Sequence, residues 1–213
     1  MVESRAGQLG QFRFCPIRLE RRISFPEDLV LVIAVSGVIA EKTGAARDLY
    51  NRASLSIREI LRRWNDATGR RDAVLADALA TDPGATRLHG LVAEDNRLAG
   101  RLDHFLAESE RIIPAAGDAL ADGDLAGLGA AVDESQTLAN RLLGNQVPQT
   151  MALARIARVG LGAVAACSFG AGFGGSVWAM VPRADARQFG SAWLERYRKA
   201  FPTQASRVAT LVT

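Results

Sequence analysis

Between residues 168 and 181 the chain reads Ser-Phe-Gly-Ala-Gly-Phe-Gly-Gly-Ser-Val-Trp-Ala-Met-Val, which sets four glycines within six positions. The flanking segments, AVAACSF and SVWAMV, have the length and composition of strands, so the glycines predict the turn of a β-hairpin. A two-residue hairpin turn needs only one or two glycines. The excess at Gly170, Gly172, Gly174 and Gly175 points to a backbone that something else approaches closely: an anion held by bare N–H groups, or another main chain packed against it. Standard nucleotide loops are excluded by context, because they need a helix after the glycines and, in the P-loop, a lysine. Here a strand follows and no lysine is present. Turn glycines without a ligand are the alternative. On the ligand reading, valine at Gly172 or Gly174 leaves the fold intact wherever φ is negative.

The remainder of the chain alternates strand and helix signals. Gln11 to Ile23 mixes aromatics and arginines around a proline, as edge or connecting strands do. Leu29 to Val35, LVLVIAV, is an apolar run of strand length suited to burial on both faces. Helical spacing over Thr43 to Asn65 gathers Ile57, Ile60, Leu61 and Trp64 on one side, with Gly69 beyond the end. A weakly patterned stretch around ATDPGATRLHG follows.

A long helix then aligns Leu98, Leu102, Phe105, Leu106, Ile112, Ile113 and Leu120, with a kink expected at Pro114. Asp124 is the expected N-cap of the next helix, whose core positions are Leu125, Leu128, Val132, Leu138 and Leu142. Pro148 opens a shorter helix ending at Gly160, with Met151, Ala152, Ile156 and Val159 expected inward. After the hairpin, a helix from Ala184 to Ala200 places Phe189, Trp193 and Tyr197 on one side and leads to a closing strand, RVATLV. This order predicts an α+β fold, an antiparallel sheet packed against helices on one face.

With 48% hydrophobic and 23% charged residues, 213 residues suffice for one core and a small appendage. No uninterrupted apolar run of about 18 residues and no signal-peptide pattern occurs, so the expectation is a cytoplasmic protein without a membrane partner. The net charge is +3, but arginines are interspersed with Asp and Glu and the lysines are only Lys42 and Lys199, which argues against nucleic acid. Cys15 and Cys167 lie far apart without metal-ligand neighbours and read as buried free thiols.

Three stretches in order then carry a family resemblance. GAGFGGSVWAMV is similar to the third motif of the GHMP small-molecule kinases, with Phe173 as in its galactokinase version. Ser36 to Ser54 resembles the galactokinase segment that bears a sugar-contacting tyrosine, and Val132 to Thr150 resembles the family's Glu-Ser-x-x-Leu helix and following loop. The resemblance implies a C-terminal domain of ferredoxin-like type over residues 26–213, preceded by a tail, residues 1–25, of an otherwise absent N-terminal kinase domain.

It further implies that Gly170, Gly172, Gly174, Gly175 and Ser176 lie beside the ATP phosphate loop of that domain, and that Tyr50 contacts the sugar. The implied activity is transfer of the ATP γ-phosphate to the anomeric hydroxyl of galactose or a related sugar. ATP and Mg²⁺ would be bound mainly by the absent half, which would also carry every catalytic residue. This chain is expected to be inactive alone and to self-associate through the uncovered domain face. The rival expectation is a non-catalytic sugar- or nucleotide-binding regulator derived from such a kinase.

Other groupings carry no chemistry. Arg101, His104, Glu108 and Arg111 share a helix face and read as a solvated ion-pair stripe. His89 reads as a surface histidine, Thr43 as a helix cap, and Trp178 and Trp193 as core packing.

Overall fold

The computed structural model describes residues 5–13, 17–39, 45–170 and 172–213, with side chains from Leu55 onward in the first helix. Cys15, Lys42, Thr43, Ala171 and the Tyr50 side chain lie outside the described residues. Strands β1 (Gln8–Arg13) and β2 (Arg18–Ser24) pair as an antiparallel ribbon. Strands β3 (Leu29–Val35), β4 (Ala165–Ser168), β5 (Ser176–Pro182) and β6 (Thr210–Val212) form an antiparallel sheet in the order β4-β5-β3-β6. The LVLVIAV run thus becomes an interior strand between β5 and β6, and the closing strand is shorter than RVATLV.

Between β3 and β4 the chain is helical: α1 (Ala45–Thr68), α2 (Leu75–Thr81), α3 (Thr86–Val92), α4 (Asn96–Leu106), α5 (Ile113–Ala121), α6 (Leu125–Leu138) and α7 (Pro148–Arg155). Helix α8 (Ala186–Ala200) joins β5 to β6. The Asp124 carboxylate caps α6 by accepting from the Gly127 amide at 2.9 Å. Asp82-Pro83-Gly84 separates α2 from α3, two helices of one to two turns that the sequence pattern had not distinguished from loop.

Side-chain alternation along the strands fills two layers. Val30, Val32, Ala34, Val177, Ala179 and Val181 face α7 and α8, packing on Leu153, Ala154, Phe189, Trp193 and Tyr197. This is the helical layer expected from the pattern. The alternate residues, Leu29, Ala165 and Met180, with Leu31 and Trp178 partly buried, meet Leu120, Leu128 and Val132 of α5 and α6 and Ile23 of β2. The opposite face is therefore also covered at its β4 end, while Val35 (40% exposed) and Leu211 (63%) remain open at the other end. A third cluster, with Ile60, Trp64, Leu88, Leu98 and Leu102 at its centre, closes α1 to α4 into a separate helical layer.

Three π-helical turns, Ala107–Ile112, Ala139–Leu143 and Ile156–Gly160, correct several expected core positions. Each wider turn shifts the phase of the helix, so a 3.6-residue pattern extended through it points some residues outward. Ile113 is 43% exposed, Met151 39% and Val159 85%, and the α7 residues that reach the sheet are Leu153 and Ala154. The disturbance expected at Pro114 takes the form of the π turn immediately before it.

The same phase shift dissolves the ion-pair stripe. Arg101 and His104 are half-buried with Nη1 and Nδ1 3.4 Å apart, and desolvation, followed by the Arg101 charge, pushes the His104 imidazole down to about 4. Glu108 accepts from Ser135 Oγ at 2.7 Å, and Arg111 forms a fork with Glu134 of α6. The Glu108 and Arg111 contacts bridge helices instead of running along one. His89 is 41% exposed, as a surface histidine.

Candidate functional site

The glycine loop joins β4 to β5, whose ladder from Ala165↔Met180 to Ser168↔Val177 is the predicted hairpin. All four glycines adopt positive φ: Gly170 +63°, Gly172 +85°, Gly174 +128° and Gly175 +81°. Phe173 also sits in the left-handed region at +60°. The negative φ on which a harmless valine at Gly172 or Gly174 is conditional is met at neither position, so an L side chain is strained at both.

One approaching backbone is internal. A Cβ built on Gly172 would lie 2.1 Å from the carbonyl oxygen of Asn145, in the loop between α6 and α7, and 2.8 Å from its Cγ and Nδ2. The same carbonyl accepts from the Phe173 amide at 2.5 Å, and Asn145 is 4% exposed. Sequence reasoning had not singled out Asn145, because nothing in a 27-residue separation identifies which carbonyl meets Gly172.

The returning side of the loop is tied to β3. Ser36 N donates to Gly175 O, and Gly175 N to Val38 O, both at 2.9 Å. Ser36 is fully buried, and its own carbonyl accepts from Tyr197 Oη at 2.7 Å. Ser176 opens β5 opposite Val35, and its carbonyl accepts from Phe169 N at 2.9 Å. Gly170 and Gly175 face open space, with nothing among the described residues within 4 Å of an added Cβ. The loop thus has one face sealed against Asn145 and another clear of side chains. Tyr50 belongs to α1, whose C-terminal part packs against α4, but its side chain lies outside the described residues.

Cys167, beneath the loop, is mostly buried, and burial together with the Glu108 charge pushes its thiol up to about 11. It remains protonated at neutral pH and is a poor nucleophile. In a Cys15→Ser variant, native protein should resist thiol reagents at pH 7 to 8 and label rapidly after unfolding in guanidinium. Fast native labelling would show that the thiol is accessible and ionised.

A cavity of about 610 Å³ between the β1–β2 ribbon and α2 and α4 is lined by Phe12, Leu79 and Phe105 among others, and it shares no residue with the glycine loop. Among the described residues, no three His, Cys, Asp or Glu side chains converge as a metal site, and no helix is long and apolar enough to cross a membrane.

Residues 116–199, from α5 through α8, match the family described as GHMP kinases C terminal. The GHMP match contains the glycine loop, Asn145 and both helices that cover the sheet face opposite α5 and α6. Among solved structures, Lactococcus lactis galactokinase complexed with galactose superposes with a TM-score of 0.71 at 22% identity. That superposition covers 90% of this chain and 47% of the galactokinase chain. L. major mevalonate kinase in complex with R-mevalonate matches with a TM-score of 0.52 at 16% identity, over 97% of this chain and 48% of that one. The chain therefore spans about half the length of the two kinases it resembles in fold. Comparison with curated protein sequences returns no match.

Proposed function

We propose that this chain supplies the C-terminal half of a galactokinase-like kinase, which transfers the γ-phosphate of ATP to the anomeric hydroxyl of galactose or a related sugar. The observation that carries the reading is the glycine loop, with four positive-φ glycines inside a GHMP-matched segment and an open face at Gly170 and Gly175. In this reading residues 1–25 are the tail of the N-terminal domain, and Gly170, Gly172, Gly174, Gly175 and Ser176 approach that domain's phosphate loop. Tyr50 contacts the sugar.

A side-chain-free loop fits a polyphosphate, because its main chain can come close to the phosphate oxygens without a steric barrier. Bound ATP supplies the phosphoryl group. This chain's own part is to shape one wall of the site and exclude water from it. In this reading ATP and Mg²⁺ are held mainly by the other half. Without the other half the chain does not turn over.

The test extends the coding sequence in frame upstream of Met1 and assays the product with Mg-ATP and galactose, beside the 213-residue chain alone. Sugar phosphate is expected only from the extended protein. Gly170→Ala, which adds a methyl to the open face, should lower kcat/KM on the order of 100-fold while costing only about 1 kcal/mol of stability for its positive φ. Turnover by the short chain, abolished by Gly170→Ala, overturns the half-enzyme reading. Sugar or nucleotide binding by the extended protein without turnover selects the regulatory alternative.

A further inference from the structure

We infer that Gln136 and Gln146 are positioning residues, which hold the glycine loop at its entry and at its tip through one continuous chain of side-chain amides. Only the functional consequence rests on the kinase reading. Gln136 lies near the C-terminal end of α6 and aims Oε1 at the end of β4. There it accepts from Ser168 N at 2.9 Å, Ser168 Oγ at 3.1 Å and Cys167 Sγ at 3.2 Å. Its Nε2 donates to Gln146 Oε1 at 3.1 Å, and Gln146 Nε2 donates to Asn145 Oδ1 at 2.9 Å. Thr150, fully buried in the first turn of α7, places Oγ1 3.1 Å from the same Gln146 oxygen. Asn145 then reaches the loop tip through the carbonyl that accepts from Phe173 N.

The arrangement answers a physical need. Glycines lose more conformational freedom on ordering than other residues, so the shape of this loop has to be imposed by its surroundings. The returning side is held by β3 through Ser36 and Val38, and the entry and tip are held through the glutamines. Gln146 has to accept from Gln136 and donate to Asn145 with one side chain, which an amide does and neither a carboxylate nor a thioether can. Each link also fixes the amide orientation of the next, so the chain transmits position from β4 to Asn145. Neither glutamine bonds the loop tip directly; both act through Ser168 and Asn145.

Amide hydrogen exchange on this chain tests the relay. Gln146→Met keeps the volume and removes the hydrogen bonds to Gln136, Asn145 and Thr150, and should speed exchange at the Phe173 amide about tenfold while the β3–β5 ladder keeps its protection. Gln136→Met should release the Ser168 amide directly and Phe173 by a smaller factor, and provides the test if Gln146→Met fails to fold. Combining the two should accelerate Phe173 no more than Gln146→Met alone, as one chain of links requires. In the extended kinase, Gln146→Met should lower kcat about tenfold and leave KM for the sugar unchanged. An unchanged Phe173 amide in Gln146→Met, or equal acceleration across β3 and β5, overturns the inference. Absence of phosphorylation by the extended wild type, with Phe173 still accelerated in the variant, overturns the kinase reading and leaves the relay standing.

Discussion

Gly172→Ala should destabilise the chain by about 3 kcal/mol or more, whereas Gly175→Ala, a few residues away at nearly the same φ, should cost about 1 kcal/mol. Both positions force an L residue into the left-handed region, at +85° and +81°, and that shared strain accounts for the smaller loss. The difference lies in what the new methyl meets. At Gly175 nothing among the described residues lies within 4 Å, but at Gly172 the methyl would fall 2.1 Å from the Asn145 carbonyl oxygen, far closer than a non-bonded Cβ approaches any heavy atom. Relief requires the loop or Asn145 to retreat. Either movement breaks the bond from the Phe173 amide, worth about 1 kcal/mol, and disturbs a residue that is 4% exposed. Guanidinium unfolding of both variants with a common m-value measures the contrast. Equal losses would mean that the loop can leave Asn145 without cost, and the account of the close approach would fail.

The same two glycines mark how far the sequence could be read. That strands flank the loop was legible, because each strand is a short local pattern and the glycines between them announce a turn. That something approaches the loop was legible from the number of glycines. The identity of the approaching group was not, since the contact between Asn145 and Gly172 depends on how α6 and α7 settle on the sheet. Periodicity located α8 and its inward residues Phe189, Trp193 and Tyr197 because that helix is regular throughout. It misplaced Met151, Val159 and Ile113 because the helices around them contain or adjoin π turns, which change the angle per residue without a clear residue signature. The short helices α2 and α3 were hidden by Asp-Pro-Gly between them, a sequence that reads as loop whichever elements it joins.

The largest single loss of stability is expected from Trp193→Ala, about 3–5 kcal/mol. Trp193 is fully buried between α7 and the sheet, at the centre of the cluster formed by Val30, Val32, Val177 and Ala179 with Leu153 and Tyr197. Its ring meets Phe189 edge-on, with centroids 5.5 Å apart, and its Nε1 donates to the Leu153 carbonyl at 3.0 Å. Alanine therefore removes core volume, an aromatic pair and a buried donor together. Against a total stability of about 5–15 kcal/mol for a domain, such a loss approaches the margin for folding. Trp193→Phe keeps most of the ring and should lose about 1–2 kcal/mol, chiefly the hydrogen bond and the unfilled edge. Tyr197→Phe removes only the bond to the buried Ser36 carbonyl and should cost about 1 kcal/mol. Because the Ser36 amide donates to the Gly175 carbonyl, this last variant should raise exchange at the Ser36 amide more than at Phe173, which is anchored from Asn145 instead. Thermal and guanidinium unfolding of the three variants should rank them in that order. A loss below about 1 kcal/mol for Trp193→Ala would mean that α7, α8 and the sheet do not share one packed core.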